Sequence, residues 1–185
     1  MRRILSTMIL TTAVGLLSAC SAGTGTGTAA SATPTYELPP RPVRDGETAV
    51  RAAPVQSGDL AFTVIGLHGG MPELVGSHAD VRPKNGQFVR VRLITENRGR
   101  TTATFTSGKQ LLVAADGATY RPDRVAMLVK RQPAAIDVGA AVRIELDLWY
   151  DIPRASRAAA LRLVGTPSVG AAADPPGTDV KLPQP

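Results

Sequence analysis

Between residues 57 and 165 the chain keeps a two-residue rhythm, with five short segments in which apolar and polar side chains alternate. Successive side chains of an extended strand point to opposite faces, so each segment can bury one face and wet the other. Leu60, Phe62 and Val64 alternate in DLAFTVIG, and Val89, Val91 and Leu93 alternate with Arg90 and Arg92 in QFVRVRLITEN. Leu111 and Val113 follow in QLLVAADGATY, where Asp116-Gly117 is a hairpin-turn signal that returns the chain through Tyr120. Ile144, Leu146, Leu148 and Tyr150 alternate with Arg143, Glu145, Asp147 and Trp149, and Leu161 with Leu163 completes the set. Asp123 to Arg131 fits a short helix, although the sequence does not decide whether it is helix or strand.

Short one-faced strands parted by turn signals such as Asn97-Arg98-Gly99 and Val138-Gly139 predict an all-β fold. Specifically, they predict an immunoglobulin-like antiparallel β-sandwich, two sheets packed face to face. The 109 residues from Ser57 to Gly165 are enough for one domain with a single core. Because the whole chain holds only 3 Phe, 3 Tyr and 1 Trp, that core must rest on Leu, Val and Ile.

The flanks have a different character. Residues 1–19 open with Arg2 and Arg3, run through apolar residues from Ile4 to Leu17 and close on small side chains, the layout of a secretory signal. As a helix the apolar run rises roughly 21 Å, short of the ~30 Å hydrocarbon core, so a permanent span is the weaker account. Leu17-Ser18-Ala19-Cys20 resembles the lipobox of bacterial lipoproteins. The resemblance implies that Cys20 takes a diacylglycerol thioether and becomes the new N-terminus, with acylation sufficient for stable anchoring at the outer face of the cytoplasmic membrane. Ordinary secretion with cleavage after Ala19 is the alternative. Cys20 is the only cysteine, so no disulfide braces the fold and no thiol remains for catalysis once it is acylated.

From Cys20 to residue 56 the composition is Gly, Thr, Ala, Ser and Pro with little to bury, which predicts a disordered tether. Its threonines Thr24, Thr26, Thr28, Thr33 and Thr35 resemble those glycosylated in actinobacterial lipoproteins. Residues 166–185 are again rich in Pro, Gly and Ala and read as a loose tail. Of the formal net charge of +6, an excess of five falls within residues 57–165. Such a surface favours anionic head groups or wall polymers, and at this location it argues against nucleic acid.

A wider resemblance is carried by NGQFVRVRLITENRG, LLVAADGATYRP and AAVRIELDLWYDIP in that order, over Gly86 to Leu163. Together they resemble an uncharacterised telokin-like, immunoglobulin-like extracellular domain of Gram-positive lipoproteins, related to a secreted mycobacterial immunoprotective antigen. Where that family often has Pro-Gly before the last long strand, this chain has Val138-Gly139. The resemblance implies a fold and an extracellular location, and carries no general activity.

The residues themselves offer few chemical constellations. His68 and His78, with Glu73 and Asp80, fall in one loop but at no metal-ligand spacing, so no metal or other cofactor is expected. Gly66, Gly69 and Gly70 do not form a phosphate cradle and read as turn glycines. Ser107 and Ser156 offer hydroxyls, with only two histidines in the chain to serve as base. Arg90, Arg92 and Arg143 could share a basic sheet face, or be a merely solvated one. Trp149, pointing away from the apolar face, either packs beneath a loop or anchors a partner. The expected function is a non-enzymatic binding or scaffolding lipoprotein facing an envelope protein or an anionic wall polymer. The alternatives are a small-ligand-binding or substrate-delivery lipoprotein with a pocket in the sandwich, and an envelope hydrolase.

Overall fold

The computed structural model describes residues 42–77 and 80–184. The signal, Leu17, Ser18, Ala19, Cys20, most of the tether with its threonines, and His78 lie outside the described residues. The chain forms β1 (Thr48–Ala49), β2 (Val55–Ser57), β3 (Leu60–Met71), β4 (Gly86–Asn97), β5 (Ala103–Thr106), β6 (Leu111–Ala114) and β7 (Thr119–Tyr120). These are followed by α1 (Arg124–Val129), β8 (Ala135–Val138), β9 (Arg143–Pro153), β10 (Ala158–Leu163) and β11 (Thr178–Lys181).

Among the described residues all strand pairings are antiparallel. One sheet runs β1-β3-β4-β9 with β2 also paired to β3, a second runs β11-β10-β6-β7, and β5 and β8 form a separate ribbon. The fold is thus the expected β-sandwich. Val91 and Leu93 on β4 stand opposite Leu148 and Leu146 on β9, so the alternating apolar residues of both strands share one face. They pack with Leu60, Phe62 and Val64 from β3, Leu112, Leu161, Leu163 and Val180 from the second sheet, and Phe105 and Val138 from the ribbon. Phe62 and Phe105 meet tilted, with ring centroids 6.3 Å apart. Each fully buried side chain of this kind contributes about 1.5–3 kcal/mol.

Turn chemistry fixes the register. Asp116-Gly117 joins β6 to β7, with Gly117 at φ +84 and Leu112 opposite Tyr120. Asn97 closes β4: its buried Nδ2 donates to the carbonyls of Thr101 and Val138, each at 2.7 Å, and its Oδ1 accepts from Gly99 N at 2.8 Å. One side-chain amide thereby ties the end of β4 to the turn that starts β9. Asp123 to Arg131 resolves as a helix, α1, because the Asp123 carboxylate accepts from Ala126 N at 2.7 Å and caps it. That segment also shields the free edge of β9, since Asp123 N donates to Trp149 O and Gln132 Oε1 accepts from Asp147 N.

Four expectations are corrected. Leu112 and Ala114, and not Leu111 and Val113, are the buried residues of β6. Four consecutive apolar residues carry no period, and a shift of one residue exchanges the faces. Gly66, Gly69 and Gly70 lie within β3 and make no turn. The expected loose tail, residues 166–185, contributes β11, which pairs with β10 over four residues and buries Val180 and Leu182. The expected tether boundary at residue 56 falls too late, because β1 and β2 already pair with β3.

Candidate functional site

The residues opposite the core on β4 and β9 form the face on which the sequence placed Arg90, Arg92 and Trp149. Register sets Arg90 beside Trp149 and His68, and Arg92 beside Asp147 and Gly66. This face is not open. Residues 42–47 fold over it before the chain joins the sheet edge as β1, and Glu47, whose side chain is fully buried, enters the space that Gly66 leaves by lacking a side chain. Arg92 is only 3% exposed and grips Glu47 through Nε at 3.0 Å and Nη2 at 2.9 Å, the forked geometry of a strong guanidinium–carboxylate pair. It also reaches Glu145 at 3.3 Å and the Pro42 carbonyl at 2.9 Å. Arg44 bridges Asp147 at 2.7 Å and Glu145 at 3.1 Å from the outside. The expected basic face is therefore an internal charge network in which Arg44, Arg90 and Arg92 meet Glu47, Glu145 and Asp147.

Arg143 does not join it. It lies opposite Glu96 and six residues from Trp149 along β9, ~20 Å at strand rise, and is exposed. Trp149 is buried, with two cations over its ring, Arg90 5.7 Å and Lys130 5.4 Å from the centroid. Of its two readings, packing is the one realised. The Arg90 Nη2 stands 3.7 Å from Glu47 Oε1. His68 lies against Gly46, which has φ +70 and where a side chain would collide with the imidazole. Burial, reinforced by Arg90 and opposed by Glu47, holds the His68 pKa below 6.5. The sequence reading missed Glu47 and Arg44. The available signal was Asp45-Gly46, a turn pair followed by the short segment Thr48-Ala49-Val50.

A groove of about 530 Å³ opens where the two sheets part. Thr48, Leu67, Gly69, Gln87 and Val89 line it from the first sheet, Ala158, Pro183 and Gln184 from β10 and the chain after β11, and Arg154 to Arg157 from the β9–β10 turn. Its size falls in the range of small-molecule sites, roughly 300–1,000 Å³. Gln87 organises the lip: Nε2 donates to the carbonyls of Pro153, Arg154 and Ser156 at 3.0–3.1 Å, and Oε1 accepts from Gly70 N at 2.9 Å. This site was not singled out from the sequence, because its walls come from five separate stretches of chain.

The remaining candidates stay apart. The Ser107 hydroxyl donates to Pro133 O at 2.6 Å, and Ser156 Oγ lies 3.4 Å from the Tyr120 hydroxyl. Among the described residues, no three of the His, Cys, Asp and Glu side chains converge as a metal site.

Similar chain paths occur in solved structures. The YjhA protein from Bacillus subtilis has a TM-score of 0.50 at 15% identity, covering 71% of this chain and 97% of its own, a likeness that shows the fold alone. A conserved hypothetical protein from Bacillus anthracis gives 0.47 at 15% identity, covering 64% of this chain and 89% of its own. The secreted protein MPT63 from Mycobacterium tuberculosis gives 0.36 at 15% identity, covering 63% and 80%. No curated protein matches. Residues 52–174, well over half of the chain, match the family described as a domain of unknown function, DUF4352, and the chain belongs to that family.

Proposed function

We propose that this protein is a lipid-anchored, non-enzymatic binding module at the outer face of the cytoplasmic membrane, and that its ligand enters the groove between the sheets. The groove is the observation that carries the binding reading. It is walled by both sheets and contains a braced turn, but no paired nucleophile and base among its described lining residues. It supports the small-ligand or delivery reading over presentation of the arginine face, because Arg92 and Trp149 are enclosed by the chain's own residues. The anchor rests on Leu17-Ser18-Ala19-Cys20 and on the absence of a second cysteine.

Cys20→Ser in the producing cell tests the anchor. The protein is expected to move from the membrane pellet into the culture medium. An unchanged distribution would remove lipid attachment from the proposal.

A further inference from the structure

We propose that the groove binds a phosphate monoester carrying a short apolar chain, with Arg154 and Arg157 holding the phosphate and Leu67, Val89 and Ala158 lining the path of the chain. The inference rests on the binding-module reading and names its ligand class. Arg154 and Arg157, both exposed, line the same groove from one short turn, and among the described residues no acidic side chain lines it. Among the described residues, neither guanidinium has an ion pair or hydrogen bond within the protein. This contrasts with Arg44, Arg92 and Arg162, each held by carboxylates. A phosphate monoester carries about −1.5 to −2 near pH 7, which matches a pair of arginines better than a carboxylate's single charge does.

The lip is braced before any ligand arrives. Gln87 bonds three carbonyls of the turn, and Ser156 N closes the turn onto Pro153 O at 2.9 Å. Holding the cationic turn in place in this way lowers the ordering cost of binding. Beneath it, half-buried Leu67 and buried Val89, residues of the core-facing side of the sheet, form part of the groove lining. A charged head at the lip and an apolar stem along the floor is the ligand shape that such a layout accepts.

Gly69 supplies a variant that leaves the arginines alone. A Cβ there would have only Val89 Cγ2 within 4 Å, at 3.9 Å, an ordinary contact, and Gly69 lines the groove, so Gly69→Leu should fold while filling it. The test is an amide-shift titration of the full mature chain carrying Cys20→Ser, with hexyl phosphate, hexanoate, hexanol and inorganic phosphate as probes. Hexyl phosphate is expected to shift Gly69, Gly70, Ser156 and Ala158, to bind at least tenfold more tightly than hexanoate or inorganic phosphate, and to exceed hexanol by more. Arg154→Gln with Arg157→Gln should weaken hexyl phosphate at least tenfold, and Gly69→Leu should abolish the groove shifts. The proposal is overturned if hexanoate or inorganic phosphate binds as tightly, if the double arginine variant binds like wild type, or if the shifts map outside the groove. Because the probe protein bears no lipid, failure here leaves the anchor experiment untouched, and failure of the anchor leaves this titration standing.

Discussion

Removing the charge of Glu47 tests the claim that the N-terminal segment is held onto the sheet by buried ion pairing. In Glu47→Gln the shape is kept, but Arg92, with a side chain only 4% exposed, loses its forked carboxylate and retains Glu145 at 3.3 Å and the Pro42 carbonyl at 2.9 Å. Breaking a buried pair by neutralising one partner costs about 3–5 kcal/mol, and the surviving Glu145 contact places the expected loss near the lower end, ~3 kcal/mol. For a domain of this size that lowers the melting temperature by about 6–12 °C. Urea unfolding of Glu47→Gln, Arg92→Met and the double variant should return a coupling energy of about 2 kcal/mol, with the double variant less damaged than the sum of the singles. Hydrogen exchange reads the same event locally. The Val50 amide, bonded to Ile65 O at 3.1 Å, should lose protection in Glu47→Gln before the amides of β4 do. Single variants within about 0.5 kcal/mol of wild type and a coupling near zero would refute the reasoning, since surface-like pairs behave that way.

Three further outcomes are expected. Val91→Asp places an unpaired carboxylate at a position of 0% exposure and should abolish the cooperative melt; an unchanged transition would show the register to be wrong. Truncation before Thr178 removes β11 with buried Val180 and Leu182 and should cost at least ~3 kcal/mol in denaturant unfolding, whereas a dispensable tail would cost nothing. His68, followed by its ring protons, should titrate below 6.5, rise toward 6.5 in Arg90→Met and fall further in Glu47→Gln. Because the unfolded chain takes up that proton first, the His68 contribution to stability is intact above pH 6.5 and declines as pH falls through it, levelling once the folded ring is protonated too.

The sandwich was legible where alternation met turn chemistry. β3, β4 and β9 each place an apolar residue at every second position over much of their length, and Asn97, Asp116-Gly117 and Gly139 mark where the chain reverses. Legibility failed where one signal had two physical meanings. Arginines alternating with valines read as a wet face, yet the partner that makes Arg92 a buried residue is Glu47, 45 positions away in a segment of tether-like composition. Leu111 to Ala114 could not choose a face, because apolar side chains occupy all four positions. Val180 and Leu182 do alternate in DVKLP, but flanking prolines and glycines made the tail look unstructured. The groove was out of reach for a different reason: no local pattern records that Gly69, Arg154 and Gln184 come together.

The charge network and the groove share one short segment, and that joins the two halves of the functional reading. Glu47 points into the buried network, while its neighbours Gly46 and Thr48 line the groove. One wall of the groove therefore exists only while the segment is docked. A ligand that uses that wall binds the docked state alone, and mass action then stabilises docking by RT ln(1 + [L]/Kd), about 2.7 kcal/mol at a hundredfold excess over Kd. This is close to the ~3 kcal/mol assigned above to the Glu47 charge, so a saturating groove ligand should restore most of the Val50 protection lost in Glu47→Gln. If ligand binds with undiminished affinity while Val50 stays unprotected, the groove closes without its N-terminal wall, and the segment serves stability only.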